Sequence, residues 1–142
     1  MVLRNFSDLN ILCIGDIILD SYIHGKVNRI SPEAPIPIFK YESERFVLGG
    51  AGNVARNVVS GGGLCTLISV VGDDKEQKVL KKLIRETKNL KAELIFSDRK
   101  TSLKQRYISG QQQILRVDNE STKDIGQNCE KRVIEVFKKH IK

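Results

Sequence analysis

Apolar positions along the chain fall into short runs punctuated by glycine, proline and acidic residues. Ile11-Leu12-Cys13-Ile14 stops at Gly15-Asp16, the pattern of a buried strand ending in a polar turn. A second apolar stretch, Ile17 to Ile23, is broken by Asp20 and Ser21. Between Arg29 and Pro37 the prolines Pro32, Pro35 and Pro37 forbid a helix and confine each preceding residue to extended backbone. Ile36 to Tyr41 alternates loosely and reads as an edge strand, where proline is tolerated.

Gly49-Gly50-Ala51-Gly52 opens a segment with Val54, Ala55, Val58 and Val59 at helical spacing, and Gly61-Gly62-Gly63 closes it. Leu64 to Val71 is rich in β-formers and ends at Gly72-Asp73-Asp74, where Asp73 and Glu76 have the spacing of a capping box. The helix that follows sets Val79, Leu80, Leu83 and Ile84 on one face. Ala92 to Phe96 reads as a short strand, and Leu103–Ile108 with Gln113–Val117 as a hairpin around Ser109-Gly110. A last helix, from about Ile125 to Ile141, carries Ile125, Cys129, Val133, Val136 and Phe137 on its apolar face. Strands alternating with helices predict an α/β fold with a largely parallel sheet. With no repeat, low-complexity tract or linker, residues 1–142 read as one domain. A helix in this alternation leads on to a further strand, so the chain reads as truncated.

Composition narrows the class. The 40% hydrophobic and 29% charged content is that of a globular chain, not of a disordered one. No apolar run approaches the ~18 residues of a membrane helix. The opening MVLRNFSDLN lacks the apolar core of a secretory signal, so a cytoplasmic location and no membrane partner are expected. Cys13, Cys65 and Cys129 show no metal or disulfide spacing, and Cys13 and Cys65 read as buried free thiols. His24 and His140 have no partner at metal-ligand spacing, so no metal site is expected. The net charge of +7 suits nucleic acid or an anionic small substrate. Aromatics are only 6% with no Trp, and Lys81-Lys82 and Lys138-Lys139 fall on polar helix sides. That argues against nucleic acid and for solvated helix faces.

The strongest local chemistry is Gly49-Gly50-Ala51-Gly52-Asn53. Glycines ahead of a helix let backbone approach a ligand, and the first helical amides have no internal partner. Asn53 offers a donor and an acceptor, which suits a sugar hydroxyl. The segment is not a GxxxxGK[ST] phosphate loop. Asp16 and Asp20 lie at or beyond the end of the first strand, where open α/β sheets bind ligands. Asp16 serves equally as a turn cap or a ligand contact. Lys104 and Arg106 alternate on a β-rich run and so share a face, which by the residues alone is more simply a solvated one.

Gly49, Gly50, Ala51, Asn53, Ala55, Gly62 and Gly72 together resemble the N-terminal signature of the ribokinase family of carbohydrate kinases. GDIILDSYIHGKVNRISPEAPIPI, GGAGNVARNV and LKQRYISGQQQILRVD bring the chain nearer to the heptose-7-phosphate kinases, the kinase domains of bifunctional heptose kinase/adenylyltransferases of ADP-heptose and lipopolysaccharide synthesis. This likeness runs from about Ile11 to Asp118 and implies the N-terminal half of such a domain, with a small β lid over about residues 17–48. It implies that Asp20 holds sugar hydroxyls and that Gly49, Gly50 and Asn53 close over the sugar. It further implies that Arg29 to Pro37 belongs to a lid that in relatives helps form a homodimer. Lys104 and Arg106 match basic residues near the sugar site, where two cations could bind the 7-phosphate, Arg in a bidentate way. Gln112, Gln113 and Arg116 match a run similar in the heptose kinases.

The implied reaction is phosphorylation of D-glycero-β-D-manno-heptose 7-phosphate at C1 by ATP with Mg. The chain departs from the family at Gly61-Gly62-Gly63, which stands for a Leu-Gly-Ala type of sequence, at ~1 kcal/mol per glycine where Ala would fit. A single residue separates Gly72 from Asp74. The Gly-Ala-Gly-Asp motif that supplies the catalytic base in relatives is missing. No catalytic residue is therefore assigned here, no ATP or Mg is expected on these residues alone, and the missing C-terminal half is the implied partner, with sugar phosphate as ligand. Two other readings are a kinase for another sugar or nucleoside, against which RISPEAP argues, and a non-catalytic sugar-phosphate or nucleic-acid binding module.

Overall fold

A computed structural model describes residues 9–141. The opening segment, read above for a secretory signal, falls largely at residues 1–8 and so lies outside the described residues. The elements follow in the order β1 (Asn10–Ile14), β2 (Ile17–Ile30), β3 (Pro37–Gly50), α1 (Ala51–Ser60), β4 (Leu64–Val71), α2 (Lys75–Glu86), β5 (Leu90–Phe96), β6 (Ser102–Ser109), β7 (Gln112–Asn119) and α3 (Gln127–His140).

The strands form two sheets. One is parallel throughout, in the order β1-β4-β5. Residues of β4 alternate between its faces. Cys65, Leu67 and Val71 pack with Ala55 of α1 and Leu80 and Ile84 of α2, while Ile68 packs with Ile95 and Cys129 under α3. This sandwich is the α/β layering that the alternating pattern predicts. All three cysteines are free, and burial pushes the Cys13 and Cys65 thiols up.

The second sheet has the order β3-β2-β6-β7, with β2 parallel to β6 and the two outer pairings antiparallel. Most of residues 17–48, where a lid is expected, lie in this sheet together with β6 and β7. Asp20 does not break the Ile17–Ile23 run as the sequence suggests. β2 is one 14-residue strand in which Ile17, Leu19, Ser21 and Ile23 are buried and the residues between them face the other way. β3 is an edge strand, as expected of a strand that opens on Pro37.

Polar groups pin the two sheets together. Ile17 N donates to Ser69 Oγ at 2.8 Å, and Gly72 N donates to Thr101 Oγ1 at 3.0 Å, both buried. The capping residue of α2 is Asp74, not the Asp73 that the capping-box spacing suggests. Asp74 Oδ1 accepts from Gln77 N at 2.9 Å while its Oδ2 accepts from Thr101 N at 2.8 Å, so one carboxylate fixes both the helix start and the entry to β6.

Candidate functional site

The outer face of the second sheet is built by register. Asp20 and Tyr22 of β2 stand opposite the core-facing set. Parallel pairing puts Lys104 beside Asp20 and Arg106 beside Tyr22, and antiparallel pairing puts Val47 and Arg45 of β3 beside the same two residues. Where β3 ends, Gly49-Gly50 leads directly into α1. A cleft of about 320 Å³ forms there, lined by Asp20, Tyr22, Arg45, Val47, Leu48, Gly49, Gly50, Asn53 and Arg56.

Each glycine answers to a different constraint. A Cβ at Gly49 would collide with Asp20 Oδ2, so the carboxylate rests directly on the glycine backbone. Gly50 caps α1 at φ 55° and ψ −131°, a conformation almost confined to glycine, and a Cβ there would strike the carbonyl oxygen of Asp16. That same carbonyl accepts from Ala51 N at 2.9 Å, which ties the β1–β2 turn to the helix start. Asp16 thus makes its turn contact through its backbone carbonyl, and the residue lines a separate small recess with Arg99 and Lys100, not the cleft of Asp20.

Asp20 is held by charge. Arg106 Nη1 donates to Asp20 Oδ1 at 2.5 Å, with both side chains mostly shielded from solvent. The hydrogen bond to Asp20 pushes the Arg106 guanidinium up, against an opposing effect of burial. Tyr22 lies between two cations, with Arg106 Cζ 5.3 Å and Arg45 Cζ 5.5 Å from its ring centre.

The residues singled out in the sequence separate here. Asp20, Gly49, Gly50 and Asn53 share the cleft, and Arg106 grips Asp20. Lys104 shares their sheet face but is turned to β7, with its Nζ 3.3 Å from both Asp118 and Glu120. Arg116 pairs with Asp118 at 2.9 Å. Gln112 sits beside the Gly110 turn, paired with Ser109 at the level of Gly25, and does not line the cleft. Five residues along β2 from Asp20, that level lies roughly 17 Å away at the strand rise. Gln113 is its neighbour, opposite Ile108.

Tyr22, Arg45 and Arg56 line the cleft without having been picked out beforehand. Arg56 follows Asn53 by three residues on one helix face, a signal present in the sequence. Arg45 had no such signal, since its place depends on the β2–β3 register.

The arrangement can receive a polyol. A carboxylate accepts from hydroxyls, and Asn53 both donates and accepts. Among the described residues no group of three or more His, Cys, Asp or Glu could hold a metal ion.

A parallel α/β layer beside a four-stranded sheet, with Asp20, Asn53 and bare glycine backbone at one cleft, is the layout of a carbohydrate-kinase class of protein. Residues 8–139 match the pfkB family of carbohydrate kinases, and the chain belongs to that family. A protein from Caulobacter sp. (strain K31) named Bifunctional protein HldE is 43% identical over 140 residues, which is 98% of this chain and 28% of that protein. Its namesake from Aliarcobacter butzleri (strain RM4018) is 46% identical over 134 residues, 94% of this chain and again 28% of the relative. The chain therefore spans little more than a quarter of the length of these relatives. A solved structure from Thermotoga maritima, described as a possible 1-phosphofructokinase, superposes with a TM-score of 0.69 at 16% identity, covering 92% of this chain and 41% of that one. That likeness shows the ribokinase-like fold.

Proposed function

We propose that this chain is the sugar-holding part of a kinase that phosphorylates D-glycero-β-D-manno-heptose 7-phosphate at C1 with ATP, in the cytoplasm, for ADP-heptose and lipopolysaccharide core synthesis. One observation carries the reading: Asp20 and Asn53 face a common cleft across bare Gly49-Gly50 backbone, in a chain more than 40% identical to HldE proteins. Asp20 accepts from neighbouring sugar hydroxyls, and the Arg106 guanidinium fixes it in place. Asn53 completes the grip from the helix side. No described helix is long and apolar enough to cross a membrane, which is compatible with that setting.

Phosphoryl transfer also needs a base and charge stabilisation around the moving group. ATP supplies that group, and Mg is its expected companion, yet no described cluster of residues fits a metal, so no step is assigned to one here. The sequence holds no Gly-Ala-Gly-Asp motif. On this reading residues 1–142 position the sugar and do not turn it over.

The test is an ATP-coupled assay of the full-length gene product on heptose 7-phosphate, ribose, fructose 6-phosphate and a nucleoside. The highest kcat/KM is expected for heptose 7-phosphate. A higher value for another acceptor reassigns the substrate, and no turnover of any acceptor removes the kinase reading. The 142-residue chain alone is expected to be inactive in the same assay.

A further inference from the structure

The two cations that the sequence offers for a substrate phosphate are occupied within the protein. Lys104 is shared between Asp118 and Glu120, and Arg106 is spent on Asp20. Two other guanidinium groups line the cleft itself. Arg45 stands on β3 beside Tyr22, and Arg56 stands three residues after Asn53 on α1. Among the described residues neither forms an ion pair or a side-chain hydrogen bond.

Charge balance then identifies the missing partner. Asp20 is the one carboxylate among the lining residues, and Arg106 neutralises it. Arg45 and Arg56 leave two positive charges uncompensated. A phosphomonoester carries about −1.5 to −2 at pH 7, which matches that excess. Position agrees with charge. Arg45 lies two residues from the Asp20 level, or about 7 Å along the strand. One molecule can therefore place hydroxyls on Asp20 and a terminal phosphate on the arginines. Tyr22 supports Arg45 from beneath, with the cation 5.5 Å from its ring centre, and so preorganises the fork that phosphate needs.

We infer that Arg45 and Arg56 form the phosphate seat of the cleft, and that the cleft selects phosphorylated over plain sugars through them. The inference rests on the kinase reading above and moves the phosphate contact away from Lys104 and Arg106.

The experiment measures calorimetric dissociation constants of heptose 7-phosphate, heptose and inorganic phosphate on the full-length protein, with Arg45→Gln, Arg56→Gln and the double variant. Each single change should weaken heptose 7-phosphate by about 10- to 100-fold, the weight of a lost charge-assisted contact, and leave heptose within about twofold. The double variant should bind both sugars alike and lose inorganic phosphate. A phosphate preference that survives in the double variant overturns the seat, and so does an equal loss on both sugars, which would mean that the arginines only shape the cleft. The kinase reading fails separately, through absent turnover by the unaltered protein. Even then, inorganic phosphate binding with and without the two arginines decides the seat.

Discussion

A methyl group at position 49 would meet Oδ2 and Cγ of Asp20. Glycine is needed there because a carboxylate lies against the chain, whereas Gly50 is needed for its backbone angles. Gly49→Ala should therefore push Asp20 off its Arg106 partner. The expected result is at least a tenfold loss of sugar affinity, with overpacking costing about 1–3 kcal/mol of stability. Calorimetry with the sugar and a denaturant melt measure the two effects. At this scale Asp20, Gly49, Gly50 and Asn53 were legible because glycine and polar residue types announce themselves. Arg45 was not, because a strand residue joins a site through its cross-strand neighbour, here Tyr22. Gln112 was placed with the site by likeness alone, and the Gly110 turn carries it to the far end of the hairpin.

Elements are joined by a few directed polar contacts, and Asp74 is the clearest. Burial raises its carboxyl, but donation from the Thr101 and Gln77 amides and the Thr101 hydroxyl, with the nearby charge of Lys100, together turn the net direction down. A carboxylate lowered in the folded state adds stability that is complete above its unfolded pKa. That contribution is lost as pH falls through the folded value, on the acid side of the ordinary carboxylate range. Asp74→Ala should cost about 2 kcal/mol at neutral pH and blunt the acid limb of the stability profile, read by denaturation between neutral and acidic pH. Little change in either would show that Gln77 and Thr101 find other partners. The sequence located this cap only to within one residue. Asp73 and Asp74 both precede the helix, and the choice fell to the one that also reaches Thr101, a residue 27 positions away.

At the scale of the molecule, the second sheet has two unlike faces. The outer face holds the charged cleft. The inner face covers the core through Ile17, Leu19, Leu48 and Leu103, and then runs on past it. There Phe39 and Tyr107 meet edge to face at 5.4 Å, and by register Tyr41, Leu115 and Val117 share their side while exposed at 61%, 53% and 39%. An exposed apolar patch of this kind marks an interaction surface. We propose that this patch is where the homodimer implied by the family likeness would form. Leu115→Lys with Val117→Lys should shift sedimentation of the full-length protein towards monomer. An unchanged sedimentation coefficient would remove the lid from the interface.

Local chemistry settled what local chemistry can. The periodicities gave β1, β4 and the three helices, Pro37 suited β3 to a sheet edge, and the glycine-asparagine turn marked the cleft-lining start of α1. Those features depend on backbone freedom, hydrogen-bonding capacity and the period of burial, all of which act within a few residues. Three things waited on the folded chain: the division into two sheets, the pairing of Asp20 with Arg106 across 86 residues, and the meeting of Arg45 with Arg56 at one cleft. Each is a matter of strand register and sheet packing. Register is decided by the summed fit of whole strands, so no single residue carries its record.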